Sequence, residues 1–541
     1  MSMQTVSDYI NHHASKSPDK SFLITPAEDG THKELSYRDL KIQVDQIGQR
    51  LTQMGVAAQA KVAFLMGNSQ WTTLLFLGVM ANRRVIVPIN AVAGETQMTH
   101  VLNHCDAEVV FVAPEFRETI ERLLPAIERS ITLIEVDADN GPDWPRSGGA
   151  DRGGADRGEA GHGANENSDD HLDQLSEPSQ QSFIPLSDDS ALLLYTSGST
   201  GLPKGAVLSQ LAVITGGRNV ALGHGLTADD RALCVLPVYH INGAMVTVSA
   251  PLVSGGSVVM PGKFSVHDYW HWVADFQCTW SSVVPTIIKY LLDRAEVEPF
   301  DFGNESSLEQ FRFARSASAP LPAIVLQQWE ETFYLPMIET LGLTETAGTV
   351  AANPMPPEVR KPGSVGCAVG NEIEIGDSEG NLSGTSTEGE LLIRGDNLLT
   401  EYYKNPEATS GAFVNGWFRT GDLGVKDSAG YLYITGRLKE LIIRGGENIA
   451  PREIDDVLYK HEAILEAAAY GCDDENYGQE VYACVALRDG YSCTKEELLE
   501  LCVASVGKVK APKKIIFLDE LPKGPSGKIL RLKLADLIGS G

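Results

Sequence analysis

The first regular pattern along the chain is helical: Leu40, Val44, Ile47, Leu51 and Met54 recur every three or four residues and stop at Gly55. The apolar run 60–66 (AKVAFLM) then predicts a strand, and 68–84 (NSQWTTLLFLGVMANRR) a helix. RVIVPI (84–89) and AEVVFVA (107–113) read as buried strands separated by another helical segment. Strands alternating with helices predict a layered α/β fold.

Two breaks divide the chain. Residues 140–181 combine a short repeat (GGADRGGADRG) with abundant Gly, Asp and Asn and almost no aliphatic side chains, the composition of a disordered surface insert. The α/β rhythm resumes beyond 183 and ends near 436–439, after the strand-like GYLYIT. The C-terminal hundred residues have their own pattern: a helix (451–461), strands (466–472 and 480–487), a helix (494–506) and a basic tail. The expected division is therefore a large N-terminal domain of layered α/β subdomains, 1–437, interrupted by the 140–181 insert, and a small α+β domain, 438–541.

Composition narrows the class. A chain of 541 residues exceeds what one core supports. Its 43% hydrophobic and 21% charged residues are those of a globular protein, and no apolar stretch approaches the roughly 20 residues of a membrane span. The N-terminus lacks a basic start followed by an apolar segment, so the expected compartment is the cytoplasm. Eight scattered cysteines, without a CxxC pair or zinc spacing, read as reduced packing residues. The net charge of -28 argues against nucleic acid as a partner; the insert holds nine acids and three arginines, so the acidity is global. An anionic ligand must meet a local concentration of donors.

Residues 195–205, YTSGSTGLPKG, supply one. Open glycines let backbone N–H groups converge on phosphate, and hydroxyls and Lys204 add donors and charge. It is not a Walker A loop: Pro203 precedes Lys204, Gly205 follows it, and AVL continues as a strand. A P-loop kinase or ATPase is thereby disfavoured.

TSGSTGLPKG closely resembles the phosphate-binding signature of the adenylate-forming superfamily, which includes acyl-CoA synthetases, peptide-synthetase adenylation domains and luciferases; the chain is most similar to the stand-alone acyl-CoA ligases. The resemblance implies nucleotide contacts from Thr196, Ser197, Gly198, Ser199, Thr200, Gly201 and Lys204. In ETLGLTETAG (339–348) it implies that Glu345 helps hold Mg2+ on the ATP phosphates, that Thr344 touches phosphate, and that Glu339, Thr340 and Leu341 lie along the nucleotide. A single carboxylate is chemically sufficient for magnesium. Leu341 stands where the superfamily commonly stacks an aromatic on adenine, and Ala317-Ser318 replace two glycines of the loop that includes Ser318 and Ala319. Asp422 in GWFRTGDLG matches the ribose-binding aspartate, Arg437 a ribose or phosphate contact, and Lys439 the pivot of a mobile C-terminal domain. Lys528 in LPKGPSGKILR matches the lysine that reaches the substrate carboxylate and α-phosphate.

This likeness spans essentially the whole chain outside the insert and implies two half-reactions: a carboxylic acid attacks Mg-ATP to give acyl-adenylate and pyrophosphate, then a nucleophile displaces AMP. The small domain would rotate between them, withdrawing Lys528 and bringing Gly445 and Gly446 to a pantetheine tunnel. CoA is the leading acceptor, supported by GGENI at the hinge and by the absence of a carboxylate between Cys234 and Ala250 that would hold an α-amine. An amine or a carrier-protein pantetheine stays open, as does a homodimer. His240 in LPVYHINGAMVT, grouped with Lys528 and Glu345 as catalytic, also shapes an acyl pocket with Asn242, Gly243 and Thr286; medium-chain, aryl and cyclic acids are the expected substrates. A non-catalytic nucleotide-binding scaffold would be expected to have lost Glu345 or Lys528.

Overall fold

The computed structural model describes residues 3–27, 29–145, 183–196, 202–298, 308–488, 490–524 and 528–538. The periodicity at 40–54 becomes the helix Tyr37–Gln53, started by a Ser36–Asp39 capping box, with Leu40, Val44, Ile47 and Leu51 buried. It packs on the helix Gln70–Ala81, buried from Thr72 onward, which explains why that segment is apolar all round. Gly78 lets the two helices approach closely, since a Cβ there would meet Ile47 Cδ1 at 3.0 Å and the isoleucine would have to yield by a few tenths of an ångström.

Two large sheets carry the N-terminal domain among the described residues. In one, Lys61–Leu65 lies parallel between Val85–Pro88 and Ala107–Val112, and the antiparallel hairpin Ser190–Thr196/Lys204–Ser209 continues it to the two-residue strand Glu401–Tyr402. In the other, Arg231–Leu233, Trp280–Val283, Phe313–Ser316 and Met337–Leu343 run parallel in that order. In open α/β sheets a crevice forms outside the carboxyl ends of such strands. The helix Gln210–His224 and a π-helical segment Asn242–Ser249 pack together and onto the antiparallel extension Gly348–Ala352 of the second sheet.

A third sheet, containing Trp417–Lys426 and Leu432–Arg437, leads into the smaller C-terminal domain, whose sheet is built on Ile464–Asp474 and Gly478–Leu487. The helix Pro451–Leu458 and the helical span Lys495–Lys510 flank that sheet, giving the expected mixture of a large α/β and a small α+β unit. No described helix is long and apolar enough to cross a membrane. Of the 140–181 insert, residues 146–181 lie outside the described residues. Its first residues remain in the fold: Gly141–Pro142 pair with Val136–Asp137, and Trp144 meets Phe111 edge-on at 5.5 Å. The low-aliphatic composition conceals this pairing because it is made by backbone.

Candidate active site

The glycine-rich stretch is flanked by two antiparallel strands, Ser190–Thr196 and Lys204–Ser209, in which Thr196 pairs with Lys204. Ser197, Gly198, Ser199, Thr200 and Gly201 lie outside the described residues. The hairpin is tied at both ends to the helix Glu95–His104: His104 Nδ1 is 2.7 Å from the Tyr195 hydroxyl, and His100 Nε2 is 3.3 Å from the Pro203 carbonyl. Lys204 points its ammonium at the face of Tyr402, 4.3 Å from the ring centroid.

Tyr402 gathers the site. Its strand pairs with the lysine strand, Tyr402 opposite Ala206, and its hydroxyl donates to Glu345 Oε1 at 2.8 Å. The same segment holds the turn Thr344–Thr346 from behind, since Leu399 N–H donates to the Glu345 carbonyl (2.8 Å) and Asn397 Nδ2 to the Thr346 carbonyl (2.6 Å). Burial first, then the Glu345 carboxylate, raise the Tyr402 pKa, so the phenol stays a donor. Nothing in the two-residue strand Glu401–Tyr402 announces this role.

Asp422 and Arg437 are register partners on adjacent strands, and Arg437 Nε lies 2.5 Å from Asp422 Oδ1. Asp422 is buried; burial pushes its carboxyl up against the pull of Arg437 and Lys528. Lys528 lies within electrostatic reach of this pair and of Glu440. Burial and then Arg437 lower its ammonium pKa, while Glu440 and Asp422 favour its proton. Arg437 also senses Glu345. Thus Lys204, Glu345, Asp422, Arg437 and Lys528 converge from four distant parts of the sequence. Arg531, three residues beyond Lys528, binds Glu440 (3.2 Å) and Asp455 (2.5 Å). Lys439, Gly445 and Gly446 are exposed, the glycines at φ +59° and +88°.

The remaining residues form a second group. Gly243 follows the turn carrying His240 and admits no side chain, because a Cβ would lie 2.1 Å from the Pro237 carbonyl oxygen. Asn242 Oδ1 accepts from Ser282 Oγ at 2.8 Å, and its Nδ2 donates to Ser318 Oγ at 3.3 Å. Thr286 stands half-buried in the first turn of the helix Pro285–Val297. Ser318, which stands where the resemblance expects a glycine, has φ +72°, a conformation that crowds its Cβ, and Ala319 follows half-buried. Leu341 and Thr344 are also half-buried, Leu341 against a cluster that includes Val350 and Ile373. Thr340 Oγ1 donates to the Ser316 carbonyl at 3.0 Å.

Glu339 faces away from that group: it is buried, accepts from Gly363 N–H at 2.9 Å, and burial raises its pKa to about 7. Among the described residues no cluster of three or more His, Cys, Asp or Glu side chains forms a metal cage. Glu345, oriented by Tyr402, fits the one-carboxylate binding that magnesium accepts.

Residues 10–403 match the family model for AMP-binding enzymes, and residues 453–528 the model of the AMP-binding enzyme C-terminal domain. The chain belongs to the AMP-binding enzyme family. It is 39% identical to the sulfoacetate–CoA ligase of Cupriavidus necator, over 98% of this chain and 97% of that one. It is 33% identical to the oxalate–CoA ligase of Arabidopsis thaliana, over 98% of each. Among solved structures, ATP-bound MatB from Rhodopseudomonas palustris superposes with a TM-score of 0.83 at 25% identity, covering 99% of this chain and 100% of that one. This AMP-binding enzyme is an AMP-forming acyl-CoA synthetase.

Proposed function

We propose that this acyl-CoA synthetase activates a short carboxylic acid bearing a second anionic group. In the first step the acid's carboxylate oxygen bonds to the α-phosphorus of ATP and the bond to pyrophosphate breaks. In the second, the CoA thiolate bonds to the acyl carbon and AMP leaves. The observation that carries the ATP chemistry is the Lys204–Tyr402–Glu345 contact beside Asp422, Arg437 and Lys528.

Lys204 and the loop before it draw on the β and γ phosphates, and Asp422 offers two acceptors to the ribose hydroxyls. Arg437 would contact ribose or phosphate while holding Asp422 in place. Lys528 neutralises charge as the carboxylate meets the phosphate, an interaction stronger in the transition state than before it. Glu345 would hold Mg2+, which supplies charge neutralisation on the phosphates when bound. We assign the domain boundary to 437/438, with Lys439 as pivot, and Gly445 and Gly446 to the path of the CoA arm.

For the acid, the sulfoacetate and oxalate ligases support small anionic substrates, and so does the polar wall formed by Asn242, Ser282 and Ser318. The medium-chain, aryl and cyclic acids expected from sequence would find fewer apolar partners on that wall. The test is pyrophosphate release over a panel of acids with ATP and magnesium, followed by mass analysis after adding CoA, amines or carrier protein. Thioester from short dianionic acids is the expected product; an amide, or turnover confined to long apolar acids, overturns the reading.

A further inference from the structure

Arg315 is among the most completely enclosed charges of the described residues. It lies in the strand Phe313–Ser316, at the carboxyl end of the parallel sheet, with 1% of its surface exposed. Its hydrogen-bond partners are all neutral. Nη1 donates to Asn242 Oδ1 and Ser282 Oγ, both at 3.3 Å; Nη2 donates to Thr349 Oγ1 at 3.1 Å and to Thr340 Oγ1. Nε is buried and finds no partner among the described residues. Burial accounts for the fall of its pKa to about 9, and among the described residues no carboxylate counters it. His224, fully buried against the stacked rings of Trp280 and Phe313, is driven toward its neutral form by burial and then by Arg315.

A guanidinium is rarely buried without an anion, because its solvation must be replaced. Four neutral acceptors fix the fork in position without cancelling its charge. Two of the contacts reach residues of the nucleotide and acyl region: Thr340, and Asn242, whose other end binds Ser318. In a protein of net charge -28 this is a local positive field in a low-dielectric wall, where charges act over longer distances than in water.

We propose that Arg315 is the specificity-determining cation of the acyl pocket, selecting acids whose far end carries a sulfonate or a second carboxylate. The proposal rests on the acid class proposed above. The missing counter-ion of the free protein is the distal anion of the substrate, drawn to the Arg315–Asn242 corner while the reacting carboxylate turns toward Lys528. A neutral far end of the same shape leaves the guanidinium uncompensated and binds poorly.

The experiment compares two near-isosteric acids, sulfoacetate and methylsulfonylacetate, which differ in the charge of the distal group. Thioester formation is measured with the full chain, ATP, magnesium and CoA. The wild type should favour sulfoacetate by at least 100-fold in kcat/KM. In Arg315→Gln that ratio should fall at least 30-fold, through a raised KM for sulfoacetate with KM for ATP unmoved, and Arg315→Lys should recover part of it. An unchanged ratio, or equal losses for both acids with a raised KM for ATP, would mean that Arg315 only braces the sheet.

Should Arg315→Gln not fold, Asn242→Asp supplies the second arm. A carboxylate beside the guanidinium should cancel the field and reduce the ratio at least tenfold, and an unreduced ratio overturns the proposal. The two readings fail differently. A wild type that activates methylsulfonylacetate and no dianionic acid refutes the substrate class, whereas a sulfoacetate preference that survives Arg315→Gln refutes only the assignment to Arg315.

Discussion

Tyr402→Phe is the sharpest test of how the site is built. The substitution deletes one oxygen and keeps the ring over which Lys204 sits, 4.3 Å from the centroid. It therefore removes the 2.8 Å hydrogen bond to Glu345 while leaving the lysine its aromatic face. A hydrogen bond to a charged group contributes about 1.5–3 kcal/mol. Glu345 is only half-buried, which favours the lower end, and about 1.4 kcal/mol corresponds to a factor of ten. The expected result is a roughly tenfold loss in kcat/KM for ATP in acid-dependent pyrophosphate release, with a higher magnesium requirement. Thioester formation from pre-made acyl-adenylate should be unaffected. In a double-mutant cycle, Tyr402→Phe should add little on a Glu345→Gln background, giving a coupling of about 1 kcal/mol. Full additivity, or wild-type kinetics in Tyr402→Phe, would refute the claim that Tyr402 positions the carboxylate.

Lys528→Ala should cripple adenylation yet spare thioester formation from acyl-adenylate, checked by assaying the half-reactions separately; in the wild type, burial lowers the Lys528 pKa, so its adenylation should fail with rising pH before a free lysine's 10.5 is reached. Ser318→Gly should raise stability by about 0.5–1 kcal/mol in denaturant unfolding by relieving the Cβ at φ +72°, and Ser318→Ala should not. Glu339 keeps its proton in the folded chain up to about pH 7 against 4.5 when unfolded, so its contribution to stability declines as pH rises through that window. Glu339→Gln should remove this slope and add up to about 3 kcal/mol at pH 8, read by denaturant unfolding across pH.

Long elements with strong periodicity were legible in the sequence. The helix over 40–54, the strands of the first sheet and the two strands that flank the glycine-rich stretch all arise from local pattern, because each buries one defined face. The assembly of the site was not legible from pattern. Tyr402 occupies a strand of two residues, too short to show any period, and acquires its role from pairing with Lys204–Ser209. Arg315 reads as an ordinary polar position in FRFARS; its burial is decided by Asn242, Ser282, Thr340 and Thr349, which four separate segments deliver. Family resemblance supplied Asp422, Arg437 and Lys528 one at a time, whereas their shared electrostatics depends on the third sheet and the C-terminal domain meeting.

The ion pairs around Lys439 bear on how the proposed rotation would proceed. On one side Arg437 is fixed to Asp422 within a single sheet, so this pair stays with the N-terminal domain. On the other, Glu440 is joined through Arg531 to Asp455, a set bound within the C-terminal domain that would move with it. Lys439 stands between them, exposed, in the short 3-10 turn Leu438–Glu440. A change of backbone angles there can turn one domain against the other without breaking either pair. The interaction that rotation must give up is the electrostatic contact of Lys528 with Asp422. Burial already disfavours the Lys528 charge, so withdrawing it from the site regains solvation, and the departure of pyrophosphate removes the anion that would oppose the motion. On the proposed roles, the same burial that would set the lysine for the first reaction would also favour its withdrawal before the second.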